Sequence, residues 1–322
     1  MIIKDYCSKH CNPERPEIRK DYVQDKFVII APKRAARPHD VSYEDDNRQA
    51  KQRGKFCWFC PGSMNKETPL ALVGTKKRWD IFVVKNKYPA VSLDNPHAYG
   101  TQEVVVETPH PDQQLEELSV SHIESLFKIY AQRLQEIQAN KRIQYVLIFK
   151  NNGGRAGASI QHAHSQIFAT EFLPPHLFDK AQQVQKYKLR TGRCVYCDVI
   201  KKELSSPRLV YQDKHVVAFT PYASLHNYEI WILPKRHFDN ITDIKPAERT
   251  SWATLLKTVL KKVTKLGLPY NYYFHQVVND EDQHLYMKIA PRGSVWAGVE
   301  IGSGLIINPI SPEDAAAYYR GR

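Results

Sequence analysis

Apolar positions along the chain follow two periods, and the order in which those periods appear occurs twice. From Trp79 to Asn86 and from Glu103 to Thr108 the pattern is that of strands. Ile123, Leu126, Phe127, Tyr130, Leu134 and Ile137 then fall on one face of a helix, with Ser121 and Glu124 as its capping box. A strand from Gln144 to Asn151 follows and runs into a glycine-rich turn. In the second round, strand-like runs Val216 to Phe219 and Tyr228 to Leu233 precede a helix with Trp252, Leu255, Leu256, Val259, Leu260, Val263 and Leu266 on one face. A strand from Tyr270 to Val278 closes it. Between the rounds, Thr170 to Arg193 carries Pro174-Pro175 and reads as a link. The expectation is an α+β protein of two tandem domains, 1–180 and 181–322, each a mostly antiparallel sheet with one packed helix.

A length of 322 residues agrees with two domains. The 46 Lys and Arg against 34 Asp and Glu give a net charge of +12. No run of like charges forms a basic tail, so the charge suits either a solubilising surface or small phosphorylated ligands. No apolar stretch approaches the ~18 residues of a membrane span. The N-terminus, Met1-Ile2-Ile3-Lys4-Asp5, lacks the apolar core of a signal peptide, so a cytoplasmic protein is expected. In that compartment six cysteines point to metal or free thiols rather than disulfides.

The duplication extends to chemistry. Cys57 and Cys60 open the first round, His110 sits past its second strand, and His162 follows the glycine-rich turn. Cys194 and Cys197, His237 and His284 stand in the same order in the second. A single Cys-x-x-Cys also suits buried thiols or a redox pair. Two copies with histidines in matching slots point to a Cys2His2 zinc site in each domain. Cys7 and Cys11, near the N-terminus, are expected to be solvent-near thiols.

The segment from Asn151 to Gln166 holds the densest chemistry. Its glycines, Gly157 among them, let the backbone approach an anion, and successive N–H groups there can form a nest for phosphate. Beyond them the pattern is that of a strand, so His162, His164 and Gln166 share a face. A neutral imidazole held at its other nitrogen by a backbone carbonyl can attack phosphorus and form a covalent intermediate. Gln166, Ser159 and Arg155 could stabilise charge on the phosphoryl oxygens. The same spacing also suits a plain His-x-His metal pair.

His162-Ala163-His164-Ser165-Gln166 resembles the His-Pro-His-Gly-Gln motif of the galactose-1-phosphate uridylyltransferase family, a branch of the histidine-triad superfamily. Cys57-Trp58-Phe59-Cys60-Pro61-Gly62, Lys85-Asn86-Lys87-Tyr88-Pro89 and Ala297-Gly298-Val299-Glu300 are similar to that family's zinc loop, nucleoside-contacting segment and a stretch of its second half. The resemblance implies two histidine-triad-like domains, a homodimer, and ping-pong transfer of uridylyl between UDP-glucose and galactose 1-phosphate. His164 matches the nucleophile and Gln166 the residue that bonds the transferred phosphate. Asn151 and Ser159 match phosphate contacts, Asn86 a nucleoside contact, and Arg34 and Arg37 arginines near the nucleotide. Glu300 falls in the matching second-half stretch.

Ala163 and Ser165 replace the motif's Pro and Gly. A Ser there resembles the branch that includes ADP-glucose phosphorylase, in which free phosphate takes the nucleotidyl group; the second Cys-x-x-Cys and Gly302 to Pro309 also fit that branch. In the second half the nucleophile slot holds Tyr286, so that copy is expected to keep a metal and lack catalysis. A non-enzymatic basic zinc protein binding nucleic acid is the remaining alternative. The chain offers no recognition helix or RNA-binding aromatic motif, so the expected partners are nucleotide sugar and sugar 1-phosphate, with neither nucleic acid nor membrane.

Overall fold

The computed structural model describes residues 15–36, 57–277, 280 and 282–321. Arg37, Cys7 and Cys11 lie outside the described residues.

Strands β1 (Glu17–Lys20) and β2 (Phe27–Ile30) form a hairpin. After them come α1 (Pro61–Met64), β3 (Ala71–Thr75), β4 (Arg78–Lys85), β5 (Gly100–Val106), α2 (Val120–Gln138), β6 (Tyr145–Asn152) and β7 (His164–Thr170). Two helices follow, α3 (Pro175–Thr191) and α4 (Val195–Glu203). The second round is β8 (Leu209–Gln212), β9 (Val216–Phe219), β10 (Ile230–Pro234), α5 (Pro246–Lys265), β11 (Tyr270–His275) and β12 (Tyr286–Pro291). The chain ends with α6 (Gly298–Ser303), β13 (Ile306–Asn308) and α7 (Pro312–Arg320).

Ten strands make one sheet in the order β3-β4-β5-β7-β6-β11-β12-β10-β9-β8, every pair antiparallel. Read from its centre outwards, the order in one half mirrors that in the other. The two α+β halves expected from the repeat are therefore joined edge to edge, through β6 and β11. Pairing the inner edges covers what would otherwise be two open strand edges. The small second sheet ties the N-terminal hairpin to the C-terminal segment, because β13 runs parallel to β2.

One apolar cluster spans both halves on a single face of the large sheet. From α2 it takes Ile123, Leu126, Phe127, Tyr130, Leu134 and Ile137, and from α5 Trp252, Leu255, Leu256, Val259, Leu260 and Val263. These are the faces that the periodicity predicts, except that Leu266 is the half-buried C-cap. The cap of α2 is Ser119, whose hydroxyl accepts from His122 N–H at 3.1 Å, rather than Ser121, because the helix starts at Val120. The link between halves is also more ordered than its composition suggests. Pro175 opens α3, where a missing N–H costs nothing, and Gly192 closes it with a left-handed φ of 69°.

The opposite face of the sheet is covered unequally. In the second half, Val195, Tyr196, Val199 and Ile200 of α4 and Val184 of α3 pack onto Val217, Phe219, Trp231, Leu233 and Tyr286. In the first half, among the described residues, Met64 of the four-residue α1, with Phe59 beside it, packs onto Trp79, Phe82, Val84, Val104 and Val106. Among the described residues the sheet is thus less covered on this face, beside β5 and β7.

Two ion pairs are buried on the helix side. Arg133 grips Glu103 with two bonds of 2.7 and 2.8 Å. Lys150 donates to Glu107 at 2.7 Å, both side chains being at most 1 % exposed. Lys150 also donates to the His164 carbonyl at 3.0 Å. Removing one member of such a pair strands the other charge in the interior. Lys150→Met is thus expected to lower the free energy of unfolding by about 3–5 kcal/mol. Adding Glu107→Leu to the same chain should restore most of it. Urea titrations of the three proteins measure both effects, and equal losses in the single and double variants would contradict the pairing.

Candidate functional site

Strand β7 alternates between the two faces of the sheet. Ser165 and Ile167 are fully buried on the helix side, whereas His164 and the half-buried Gln166 turn to the other face. Register with β5 sets Val106 beside His164 and Val104 beside Gln166.

His162, just before β7, is fixed from two sides. Its Nε2 bonds the Thr108 carbonyl at 2.7 Å, so that nitrogen carries the proton. Its Nδ1 then faces the sulfurs of Cys57 and Cys60 at 3.3 and 3.9 Å. The two thiols stand where Cys60 begins α1 and its carbonyl accepts from Ser63 and Met64 N–H. Burial, and then Cys57 next to it, pushes the Cys60 thiol up to about 11. A cation between the sulfurs and Nδ1 would offset that cost, so the donor set fits a metal.

In the second half the fit is fuller. The ligand atoms of Cys194, Cys197, His237 and His284 all lie within 4.8 Å of one another. His284 Nε2 bonds the Pro234 carbonyl at 2.9 Å, which again leaves Nδ1 for the cluster. Such a bond from the far nitrogen fixes the ligand tautomer. The first half gathers three of its four expected ligands. His110 is exposed and outside the group. It lies in a turn held by its own bonds, His110 N–H to Thr108 Oγ1 and Gln113 N–H to His110 O.

His164 is oriented by the chain that carries it. Its Nδ1 donates to the His162 carbonyl at 2.8 Å, so the lone pair is on Nε2. The Phe59 and His164 rings meet in a T-shaped contact, with centroids 5.1 Å apart. Burial, and next the charge of Lys150, holds the imidazole below the usual histidine range, so it is neutral at pH 7. Gln166 is joined to Gln102 at 2.8 Å and to Asn86 at 3.5 Å. Asn151 accepts from Asn271 of β11 at 2.8 Å, so the second half of the chain contributes to this neighbourhood.

The glycine turn differs from the expected phosphate nest. The N–H groups of Ala156, Gly157 and Ala158 are bonded to the carbonyls of Gly153 and Gly154, which leaves them unavailable to an anion. The turn needs its glycines for shape: Gly153 and Gly157 both have φ of 86°. Gly157 lies beside Asn151, with 3.6 Å between a methyl group built there and Asn151 Nδ2. Ser159 and Arg155 are exposed. Arg34 and Glu300 lie elsewhere; burial raises the Glu300 carboxyl, and backbone N–H groups and then the charge of Arg34 hold it below its usual range on balance. Neither is among the contacts of His164 or Gln166.

The matching face of the second half is filled. Tyr286, in the slot of His164, stacks on Trp231 with centroids 4.7 Å apart. Lys288, in the slot of Gln166, pairs with Glu229 at 2.7 Å. Lys180 of α3 lies over the Tyr286 ring at 4.7 Å and donates to its hydroxyl. Sequence reasoning missed this plug, along with Gln102, Lys150 and Phe59 at the first site. A lysine in a polar linker and a glutamine in a strand carry no spacing signal.

Residues 12–174 match the family model described as galactose-1-phosphate uridyl transferase, N-terminal domain, and residues 100–318 match a domain of unknown function. The chain is 31 % identical to an ADP-glucose phosphorylase of Arabidopsis thaliana, over 95 % of this chain and 93 % of that one. It is 29 % identical to a galactose-1-phosphate uridylyltransferase of Thermotoga maritima, over 94 % and 98 %. The crystal structure of the Arabidopsis thaliana ADP-glucose phosphorylase with bound ADP-glucose superimposes with a TM-score of 0.84 at 31 % identity, covering 96 % of this chain and 99 % of that one. A uridylyltransferase structure gives 0.74 at 27 % identity, over 95 % and 97 %.

The four-ligand cluster predicts bound metal that depends on its thiols. Elemental analysis of the purified protein should show that Cys194→Ser loses about one metal equivalent per chain and melts at lower temperature. Unchanged metal content in that variant would exclude the second-half site.

Proposed function

We propose that this chain, which belongs to the galactose-1-phosphate uridylyltransferase family, transfers a nucleotidyl group from a nucleotide sugar by way of a covalent intermediate on His164. The observation that carries this reading is the 2.8 Å bond from His164 Nδ1 to the His162 carbonyl, which leaves a neutral, buried imidazole with its Nε2 pair on the open face. In the first step Nε2 bonds the α-phosphorus, the bond from that phosphorus to the bridging oxygen breaks, and sugar 1-phosphate leaves with the electron pair. The ring becomes an imidazolium whose Nδ1–H is already held by a carbonyl dipole, which favours the charge as it forms. In the second step a phosphate oxygen of the acceptor takes the phosphorus, the N–P bond breaks, and neutral His164 returns. Gln166 and Asn151 donate to the phosphoryl oxygens. Arg34, Arg37, Asn86, Ser159 and Glu300 serve the nucleotide and sugar in this reading.

Two thiolates and two imidazoles suit zinc, so the metal is proposed to be zinc. Its part here is structural: it would hold Cys57, Cys60 and His162, and with them the carbonyl that orients His164. The homodimer and the cytoplasmic location belong to the same reading.

Two donor and acceptor pairs fit. One is exchange between UDP-glucose and galactose 1-phosphate. The other is phosphorolysis of ADP-glucose; the higher TM-score and identity of the ADP-glucose phosphorylase support it. Incubation with UDP-glucose or ADP-glucose labelled at the α-phosphate should leave acid-labile label on the protein. The productive acceptor, free phosphate or galactose 1-phosphate, should then discharge it. His164→Gly is expected to carry no label and to turn over at least ~10³-fold more slowly. Wild-type turnover in that variant, or no covalent label from either donor, would sink the reading.

A further inference from the structure

An amide side chain has a donor end and an acceptor end, and only the donor end serves a phosphoryl oxygen. Which end of Gln166 faces the open side is therefore a catalytic question. The main chain answers it by two routes. The Ala90 N–H can only donate, so the Gln102 atom 3.0 Å from it is Oε1. The other end of Gln102 is then Nε2, which donates at 2.8 Å, so the Gln166 atom it meets is Oε1. Independently, Tyr88 N–H donates at 2.9 Å to Asn86 Oδ1. That turns Asn86 Nδ2 toward the same Gln166 Oε1, at 3.5 Å. Both routes leave Gln166 Nε2 as the end turned away from Gln102 and Asn86. Asn151 is set by the same logic. Asn271 Nδ2 donates to the Ala156 carbonyl at 2.7 Å and to Asn151 Oδ1 at 2.8 Å, so the Asn151 NH2 group is also the end turned away from its partner.

We propose that Gln102 is a positioning residue that fixes the amide polarity of Gln166, as Asn271 does for Asn151, so that both present N–H groups to the transferred phosphoryl group. The inference rests on the reading above, in which Gln166 donates to that group. Without the relay a half-buried amide rotates between two orientations, one of which turns a carbonyl dipole against a phosphoryl oxygen. With it, the donor is in place before charge develops and no reorganisation is needed at the transition state.

The test is a double-mutant cycle on the single-turnover rate of label transfer to His164, using whichever α-labelled donor, UDP-glucose or ADP-glucose, charges the wild-type protein. Gln166→Leu should slow transfer ~10²-fold, as loss of one such donor does. Gln102→Met, of similar volume, should slow it about 5-fold with donor KM within about twofold. In the Gln166→Leu background Gln102→Met should cost nothing more, because its route of action is gone. Gln102→Glu keeps the acceptor for Ala90 N–H and the side-chain volume, so it preserves the fold. It draws Gln166 Nε2 inward and should slow transfer more than Gln102→Met, with only the effect of its charge surviving in the Gln166→Leu background. Equal losses from Gln102→Met in both backgrounds, or wild-type transfer in Gln102→Glu, would overturn the relay. Wild-type transfer in Gln166→Leu would instead take down the reading on which the relay rests, and the relay with it.

Discussion

The bond between His164 Nδ1 and the His162 carbonyl organises the rest of this site. It fixes the tautomer, and the tautomer decides which nitrogen is a nucleophile. A carbonyl can do this only if its own residue is immobile. His162 is held at Nε2 by Thr108 and at Nδ1 by the sulfurs of Cys57 and Cys60. The His164 carbonyl in turn accepts from Lys150, whose charge is balanced by Glu107. A thiol loop more than a hundred residues away in sequence and a buried ion pair under the sheet thus act on one imidazole. Neither needs to touch a substrate.

Duplication explains why only one face carries this chemistry. Each half has the same five-strand order, and each sets a histidine and its Cys-x-x-Cys at equivalent places. What differs is the cover. In the second half α3 and α4 lie on the sheet, Lys180 is inserted over Tyr286, and Lys288 is neutralised by Glu229. Burial, the larger effect, brings the Lys180 ammonium down to about 7. The aromatic rings of Tyr196, Trp231 and Tyr286 around it offer partial compensation. In the first half, among the described residues, the four-residue α1 covers less of the equivalent face, and Gln166 is half-buried rather than plugged.

Much of this was legible in the sequence, for identifiable reasons. The helices α2 and α5 announced themselves because a helix with one buried face must repeat its apolar residues near every third or fourth position. The two Cys-and-His groups that could hold a metal were legible because few residue types make such groups and their order is duplicated along the chain. His110 stands outside the group of Cys57, Cys60 and His162, since order along the chain does not say which way a turn side chain points. The glycine turn spends three of its N–H groups on its own carbonyls for a related reason: glycines announce an unusual turn, but not whether its N–H groups face outward or close the turn on itself. Gln102 and Asn271 were invisible because their contribution lies in partners 12 and 120 residues away, not in local pattern.

The alternation of β7 also changes what its unusual residues mean. Ala163 and Ser165 replace the proline and glycine of the resembled motif, which invites the idea that they choose the acceptor. Both are buried, at 1 % and 0 % exposure, and Ser165 faces the helices. Its hydroxyl bonds Tyr130 at 2.6 Å, Tyr130 bonds Tyr272 of the second half at 3.0 Å, and Tyr272 reaches Glu107 at 3.4 Å. A serine in that place completes a buried polar chain that ends at the ion pair beneath His164. A glycine there would leave the Tyr130 hydroxyl one partner short, and a proline at 163 would keep the carbonyl that accepts from Glu107 N–H. These two substitutions therefore belong to the packing behind the nucleophile. Choice of acceptor must be made on the other face, by side chains that a phosphate or a sugar phosphate can touch.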